Sequence, residues 1–265
     1  MQLQSREQNQ TPSTLDKPDS KTVNSAKIVP VNSSVSPLLT SILYPLGRRI
    51  LMPLYFGRLR VRGQDNIPQT GPVILAPTHR SRWDGLTMAY AAGKPVTGRD
   101  LRFMVSQDEM KGVQGWFIRR MGGFPVNTKQ PGIGSIRHSV ELLRRGEALV
   151  MFPEGNIFRH GDVNPLKPGM ARIALQAESN QPGLGLKIVP VSIRYSEPVP
   201  QRGSDIDIQI GSPLDVAKYC TQSAKKGAQQ LTTDLEIALK QVDQKLELTS
   251  SPPDKDGDSL PVKQR

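Results

Sequence analysis

The sequence predicts an α/β fold in which a central sheet, mostly parallel or mixed, is covered by helices. Three observations carry that expectation. Short apolar runs alternate along the chain with amphipathic helical stretches. The strongest runs stop at a proline, as Val73-Ile74-Leu75-Ala76 does at Pro77 and residues 148–152 do at Pro153. The 265 residues are enough for one domain with a real core and polar margins, and too few to favour two complete domains.

Residues 1–35 are polar, rich in Gln, Ser, Thr, Asn, Asp and Lys, and lack a periodic apolar face, so a disordered tail is expected. They also lack an apolar stretch followed by a cleavage site, which argues against a secretory leader and for the cytoplasmic face of a membrane. Composition then changes. Residues 36–60 hold Leu38, Leu39, Ile42, Leu43, Leu46, Ile50, Leu51, Leu54, Tyr55 and Phe56 beside Arg48 and Arg49, with Pro45 and Pro53 expected to break the segment into short helices. Such a make-up suits an element that sinks apolar side chains into lipid and keeps arginine at headgroup level, on the plasma membrane or an internal one. Helices packed only on the protein's own core are the competing reading. No run approaches the ~20 apolar residues of a spanning helix.

The main domain is expected over residues 61–247. Strands are read near Val61 and at 73–76, 101–105, 124–126, 148–152, 186–193 and 206–210. Pro190 favours an edge or bulged position for its strand. Helices are read at 81–90, 108–121 with a bend near Gly112 and Gly115, 133–145, 168–177 and 219–246. The order of the strands is not readable from this pattern, and residues 248–265 read as a second disordered tail.

Lys and Arg number 35 against 24 Asp and Glu, a formal net charge of +11. The excess attracts nucleic acid, anionic lipid or an acidic substrate without choosing among them. No base-reading module or aromatic-basic platform accompanies it, so no specific nucleic acid is expected. The lone Cys220 excludes a disulfide scaffold and a cysteine metal cluster.

The first chemical constellation is Thr78-His79-Arg80-Ser81-Arg82-Trp83-Asp84-Gly85. It places an imidazole just past a strand and a carboxylate in the following helix's first turn. A His that precedes the helix folds back towards Asp84, which then holds one ring nitrogen protonated and leaves the other to take a proton from an attacking hydroxyl. The same residues also read as a capping pair, Ser81 with Asp84, beside an uninvolved His. The second is Phe152-Pro153-Glu154-Gly155-Asn156-Ile157-Phe158-Arg159. It sets a carboxylate and an open glycine backbone at a strand end, where α/β folds bind ligands. Glu154 is suited to organise substrate hydroxyls or neighbouring cations, and Arg159 to contact phosphate. A strand-ending turn with a surface Glu is the plainer alternative.

Taken in order, His79 and Asp84, then Gly122-Gly123-Phe124-Pro125-Val126-Asn127, then Phe152 to Gly155, then Ile188-Val189-Pro190-Val191-Ser192-Ile193, resemble the four blocks of the glycerolipid acyltransferase family, which includes lysophosphatidic acid acyltransferases. The resemblance implies a glycerolipid-acyltransferase-like fold. It also implies attack of a lysophospholipid hydroxyl on the thioester of acyl carrier protein or coenzyme A, without an acyl-enzyme. His79 is then the base and Asp84 its orienting partner, with Lys129, Glu154, Gly155, Asn156 and Arg159 on the acceptor or its phosphate. It implies no metal and no tightly bound cofactor.

Two departures bear on the acceptor. Thr128 and Lys129 stand where an Arg often follows the second block, and Asn156-Ile157 where Thr-Arg often follows Glu-Gly; lysophosphatidic acid and another lysophospholipid both remain candidates. Arg119-Arg120 and Arg144-Arg145 read as steering charges or solvated faces, His138 and His160 as structural, and Trp83 and Trp116 as packing or as borders of an acyl path.

Overall fold

A computed structural model of the chain describes residues 31, 33–127, 132–159 and 162–250. Most of the two expected tails, together with Thr128, Lys129 and His160, lies outside the described residues.

The first helical stretch runs without a break. Helix α1 (Pro37–Leu46) leads into a π turn (Gly47–Leu51) and then α2 (Met52–Tyr55). The expected break at Pro45 is therefore corrected. Pro45 lies inside α1, and the backbone stays helical past it into the π turn. Pro53 follows the π turn directly, and the stretch continues through it as well, so the expected break there is also corrected.

The sheet begins at β1 (Leu59–Arg62), slightly before the expected domain boundary at 61. There follow β2 (Val73–Pro77), α3 (Asp84–Ala92), the short α4 (Lys94–Thr97), β3 (Leu101–Ser106), α5 (Gly112–Arg120) and β4 (Gly123–Val126). Then come α6 (Ile133–Arg144), β5 (Ala148–Val150), α7 (Gly169–Asn180), β6 (Lys187–Tyr195), β7 (Ile206–Ile210), β8 (Leu214–Asp215) and α8 (Ala224–Ser250). Strand order is β1-β7-β6-β2-β5-β3-β4, with β8 also on β6. Strands β6, β2, β5, β3 and β4 are mutually parallel, β7 and β8 run antiparallel to β6, and β1 is parallel to β7. The mostly parallel, mixed sheet of the sequence reading is what the chain forms.

Successive side chains of β2 enter opposite cores. Ile74 packs with Leu143, Leu149, Ala174 and Leu235 under α6, α7 and α8, while Val73 and Leu75 pack with Met52, Phe56, Met88 and Ala92. Burial on both faces is why these strands read as unbroken apolar runs.

Pro190 corrects the edge expectation. Its strand β6 is interior, flanked by β2 on one side and by β7 and β8 on the other. The β8 ladder ends at Ile188 and the β7 ladder starts at Val191, so Pro190 falls in the gap between them, and its carbonyl accepts from Gly211 N at 2.9 Å. In a strand the N and C=O of one residue point the same way, so the missing donor faces that gap and no ladder bond is lost. The parallel strands β2, β5, β3 and β4 then end together at one edge, from which the loops carrying both motifs emerge.

Candidate active site

The loop after β2 is pinned before it reaches the histidine. Thr78 N donates to Val191 O at 2.9 Å, and Thr78 Oγ1 accepts from Ile193 N at 2.9 Å. His79 then turns its Nδ1 onto Asp84 Oδ2 at 2.8 Å. The same oxygen accepts the backbone N–H of Arg80 at 2.6 Å and of Ser81 at 2.9 Å, while Oδ1 accepts the Tyr195 hydroxyl at 2.8 Å. The carboxylate that gathers the loop N–H groups thus also meets the imidazole, while the Ser81 cap of the plainer reading is corrected: α3 starts at Asp84, with Trp83 before it and no side-chain cap. The carboxylate is fully buried and the imidazole is 20% exposed. A buried anion bonded at Nδ1 fixes that nitrogen as the N–H donor and leaves Nε2 as the acceptor.

The imidazole is also held from the side. The ring of Phe152 stacks on it with centroids 4.0 Å apart and planes 23° from parallel. Strand β5 ends at Val150, so Phe152 belongs to the loop rather than to the expected strand. Behind the site Trp83 lies against Tyr55 at 4.6 Å and Phe56 at 5.2 Å.

Glu154 meets one of its two sequence readings, the organising of a neighbouring cation, here Arg80. Its carboxylate is buried and turned inward, accepting His79 N at 2.7 Å, Arg80 Nη1 at 3.0 Å and Asn164 N at 3.0 Å. It braces the His79 loop against the segment that follows it, so it positions the base without offering an oxygen to solvent. Gly155 adopts φ +72°, and the Nζ of Lys167 lies 2.7 Å from where a Cβ at this position would stand. Lys167 is exposed, and its backbone N donates to Pro153 O at 2.9 Å, which folds the loop back over Gly155. Asn156 uses its Oδ1 on its neighbour's Ile157 N at 2.9 Å, and Arg159 is exposed on the same loop. The structure thus brings together His79, Asp84, Glu154 and Gly155; Lys129 is outside the described residues.

Sequence reasoning missed Tyr195, Arg80 and Lys167. A signal existed for Tyr195: Val189, Val191, Ile193 and Tyr195 share one face by strand alternation, and extending the strand two residues past 193 reaches the tyrosine. Burial, and then the Asp84 carboxylate, hold its phenol well above the ordinary tyrosine pKa, so it stays protonated and donates. The other histidine in view plays no part here. His138 Nε2 meets Ser33 Oγ at 2.8 Å and its ring sits edge-on to Phe124, with burial as the main reason its pKa is lowered. Trp83 and Trp116 are not a pair: Trp83 is packed behind Asp84, whereas Trp116 is half exposed beneath Arg120.

Not all of the expected lipid-facing segment faces outward. Leu38, Ile42, Leu46, Ile50, Leu51 and Leu54 are exposed, with Leu38 at 72%. Phe56 is buried and Tyr55 is half buried against Trp83, both drawn into the core by the aromatic cluster. Arg48 bonds the Tyr90 carbonyl and lies over the Tyr90 ring. Among the described residues, no group of three or more His, Cys, Asp or Glu is placed to hold a metal ion.

Comparison with known proteins places the chain in one family. A family model described as Acyltransferase matches residues 58–194, just over half of the chain. The 1-acyl-sn-glycerol-3-phosphate acyltransferase of Streptococcus pneumoniae (strain ATCC BAA-255 / R6) is 31% identical over 168 residues, covering 61% of this chain and 57% of the relative. The chain thus spans little more than half the length of that protein. The Bacillus subtilis (strain 168) protein of the same name is 25% identical over 198 residues, covering 72% of this chain and 91% of the relative. Among solved structures, the 1-acyl-sn-glycerophosphate (LPA) acyltransferase PlsC of Thermotoga maritima superposes with a TM-score of 0.61 over 82% of each chain at 20% identity, a likeness of fold.

Proposed function

The chain belongs to the acyltransferase family, and from that premise we propose that it transfers a fatty acyl group from a thioester to the free hydroxyl of 1-acyl-sn-glycerol-3-phosphate, forming phosphatidic acid for phospholipid synthesis. The observation that carries this reading is the Asp84-held His79, whose Nε2 is left as a proton acceptor at the sheet edge where the motif loops meet. In the step proposed, Nε2 removes the acceptor's hydroxyl proton as its oxygen bonds to the thioester carbon. The C–S bond breaks as the carbonyl re-forms, and the thiolate leaves with the proton held on His79. The negative charge that develops on the carbonyl oxygen must meet a donor or a positive field.

Lysophosphatidic acid as acceptor is supported by the names of the streptococcal and Bacillus relatives. Arg159 and Lys167, on the loop that carries Gly155, are our candidates for its phosphate, with Lys129 and Asn156 kept from the motif pattern. The donor is acyl carrier protein or coenzyme A, and no resident cofactor takes part. The acceptor comes from a membrane surface reached from the cytoplasmic side, on which the exposed apolar face of α1 and α2 rests; no described helix is long and apolar enough to cross a membrane. Residues 36–60 are accordingly proposed as the membrane-associating unit and 61–247 as the acyltransferase domain, with 1–35 and 248–265 as tails.

The test is a transfer assay with acyl carrier protein and coenzyme A thioesters against lysophosphatidic acid, other lysophospholipids and glycerol 3-phosphate, with products resolved by mass. Phosphatidic acid formed by the parent and lost in folded His79→Ala is expected. A different ester would move the acceptor assignment, and equal transfer by the variant would remove His79 from the chemistry.

A further inference from the structure

Helix α5 is packed on one side only. Gly115 is its single buried residue and lies against the backbone of Met110, in the turn that leads into the helix, where a Cβ would not fit. Ile118 closes the inner side against Gly123. At 100° per residue, Val113, Trp116, Phe117 and Arg120 fall within an arc of about 100° on the opposite side. Val113 is 85% exposed and Trp116 50%, and Phe117 is exposed beside them. The Arg120 guanidinium lies over the Trp116 ring, 4.2 Å from its centroid, and Arg119 is exposed next to it.

The face adjoins two features already described. Ser36 N donates to Arg120 O at 3.0 Å and Val35 bridges Met121, so α1 starts where α5 ends. At its other end, Glu109 in the turn before α5 pairs with Arg82 on the His79–Asp84 loop.

We propose that α5 is a second lipid contact, in which Val113, Trp116 and Phe117 enter the headgroup boundary of an anionic membrane while Arg119 and Arg120 meet its phosphates. This inference rests on the membrane-surface reading of α1 and α2 and extends it. Charge selects the occupant: two arginines flank the apolar face on a chain of net charge +11, and an indole capped by guanidinium is suited to the water–lipid boundary. The base of α1 meets the end of α5, so the two exposed faces belong to adjoining elements and are proposed to share one footing. With α5 linked through Glu109 and Arg82 to the His79 loop, that footing sets which way the reacting centre faces.

The test uses the full chain carrying Trp83→Phe, which leaves Trp116 as its one tryptophan. It is mixed with vesicles of equal parts phosphatidylcholine and phosphatidylglycerol, with and without bromine on the acyl chains near the headgroup. A blue shift of Trp116 emission and quenching by the bromines are expected. In a parallel partition assay, Val113→Asp with Phe117→Ser should weaken vesicle binding about ten-fold with an unchanged melt, since both sites are exposed. Emission that stays put on a vesicle-bound chain overturns the α5 contact alone. No vesicle binding by the parent overturns both this contact and the one at α1. An emission shift without vesicles, on concentrating the protein or adding acyl carrier protein, assigns the face to a protein partner and overturns the proposal.

Discussion

Asp84→Asn separates the charge of the catalytic carboxylate from its hydrogen bonds. Oδ2 accepts three N–H groups, from His79, Arg80 and Ser81, and Oδ1 accepts the Tyr195 hydroxyl. An Asn placed with its oxygen on the three N–H groups turns its amide towards Tyr195. That hydroxyl then reverses, accepting from Asn and donating to Thr87 Oγ1, 3.0 Å away. Every bond has a substitute and only the charge is lost. At a separation of ~4 Å and an effective dielectric of ~20, the charge stabilises the imidazolium formed during transfer by about 4 kcal/mol. That corresponds to a rate loss of about 10³-fold. Asp84→Ala is a different change: it strands two buried N–H groups, those of Arg80 and Ser81, at a stability cost of about 2–6 kcal/mol. The assay pairs product formation with a thermal melt for each variant. Asn is expected slow and parent-like in its melt, Ala slow and destabilised. Transfer by the Asn variant within ten-fold of the parent would refute the electrostatic role, and failure of that variant to fold would refute the bond reassignment.

Four further outcomes follow from the same neighbourhood and its surroundings. Glu154→Ala leaves the buried Arg80 guanidinium without its carboxylate and should cost about 3–5 kcal/mol in urea unfolding; a parent-like midpoint would show that the brace contributes nothing. Gly155→Ala adds about 1–2 kcal/mol of left-handed strain and displaces Lys167, while Lys167→Gln should leave the melt alone and raise the KM for a phosphorylated acceptor several-fold; an unchanged KM removes Lys167 from acceptor binding. Tyr44, raised to about 12 chiefly by burial, is protonated more tightly in the folded chain than in the unfolded one, so its contribution is complete below pH ~10 and is lost as pH rises from there towards 12. Denaturant midpoints compared at pH 8 and 11 should fall less in Tyr44→Phe than in the parent, and equal falls would exclude this phenol as a source of alkaline sensitivity.

Strand β2 was legible because it is buried on both faces and unbroken in hydrophobicity, and residues 206–210 because isoleucine alternates there with Asp207 and Gln209. The His79–Asp84 pair was legible because both partners lie within six residues of one another. Contacts made across the sheet were hidden: Tyr195 reaches Asp84 from a strand more than a hundred positions away, and nothing local to it announces that bond. Which cation Glu154 meets was hidden for the same reason, since its partners at His79 and Arg80 belong to another loop. Pro45 and Pro190 were read by rules for regular helices and strands. Pro190 escapes them in the gap between the β7 and β8 ladders, and Pro45 stands in a stretch that stays helical past it. Trp116 carried no sign of its exposure, because an apolar side of a short helix reads as a core face from sequence, whereas here it is the small Gly115 that is buried.

The helical stretch of residues 37–55 leaves its mark on how this protein can be made tractable in water. Its outer side is apolar, which invites removal of the whole segment to obtain a better-behaved sample. Its inner side supplies Tyr44, whose hydroxyl takes the Leu101 N–H, and Met52; Phe56, just beyond it, stands between Trp83 and Tyr195. Cutting the chain before β1 would strip the backing from the residue that precedes Asp84. Solubility is better sought by recolouring the surface at Leu38, Ile42, Ile50 and Leu54, which leaves the wall standing.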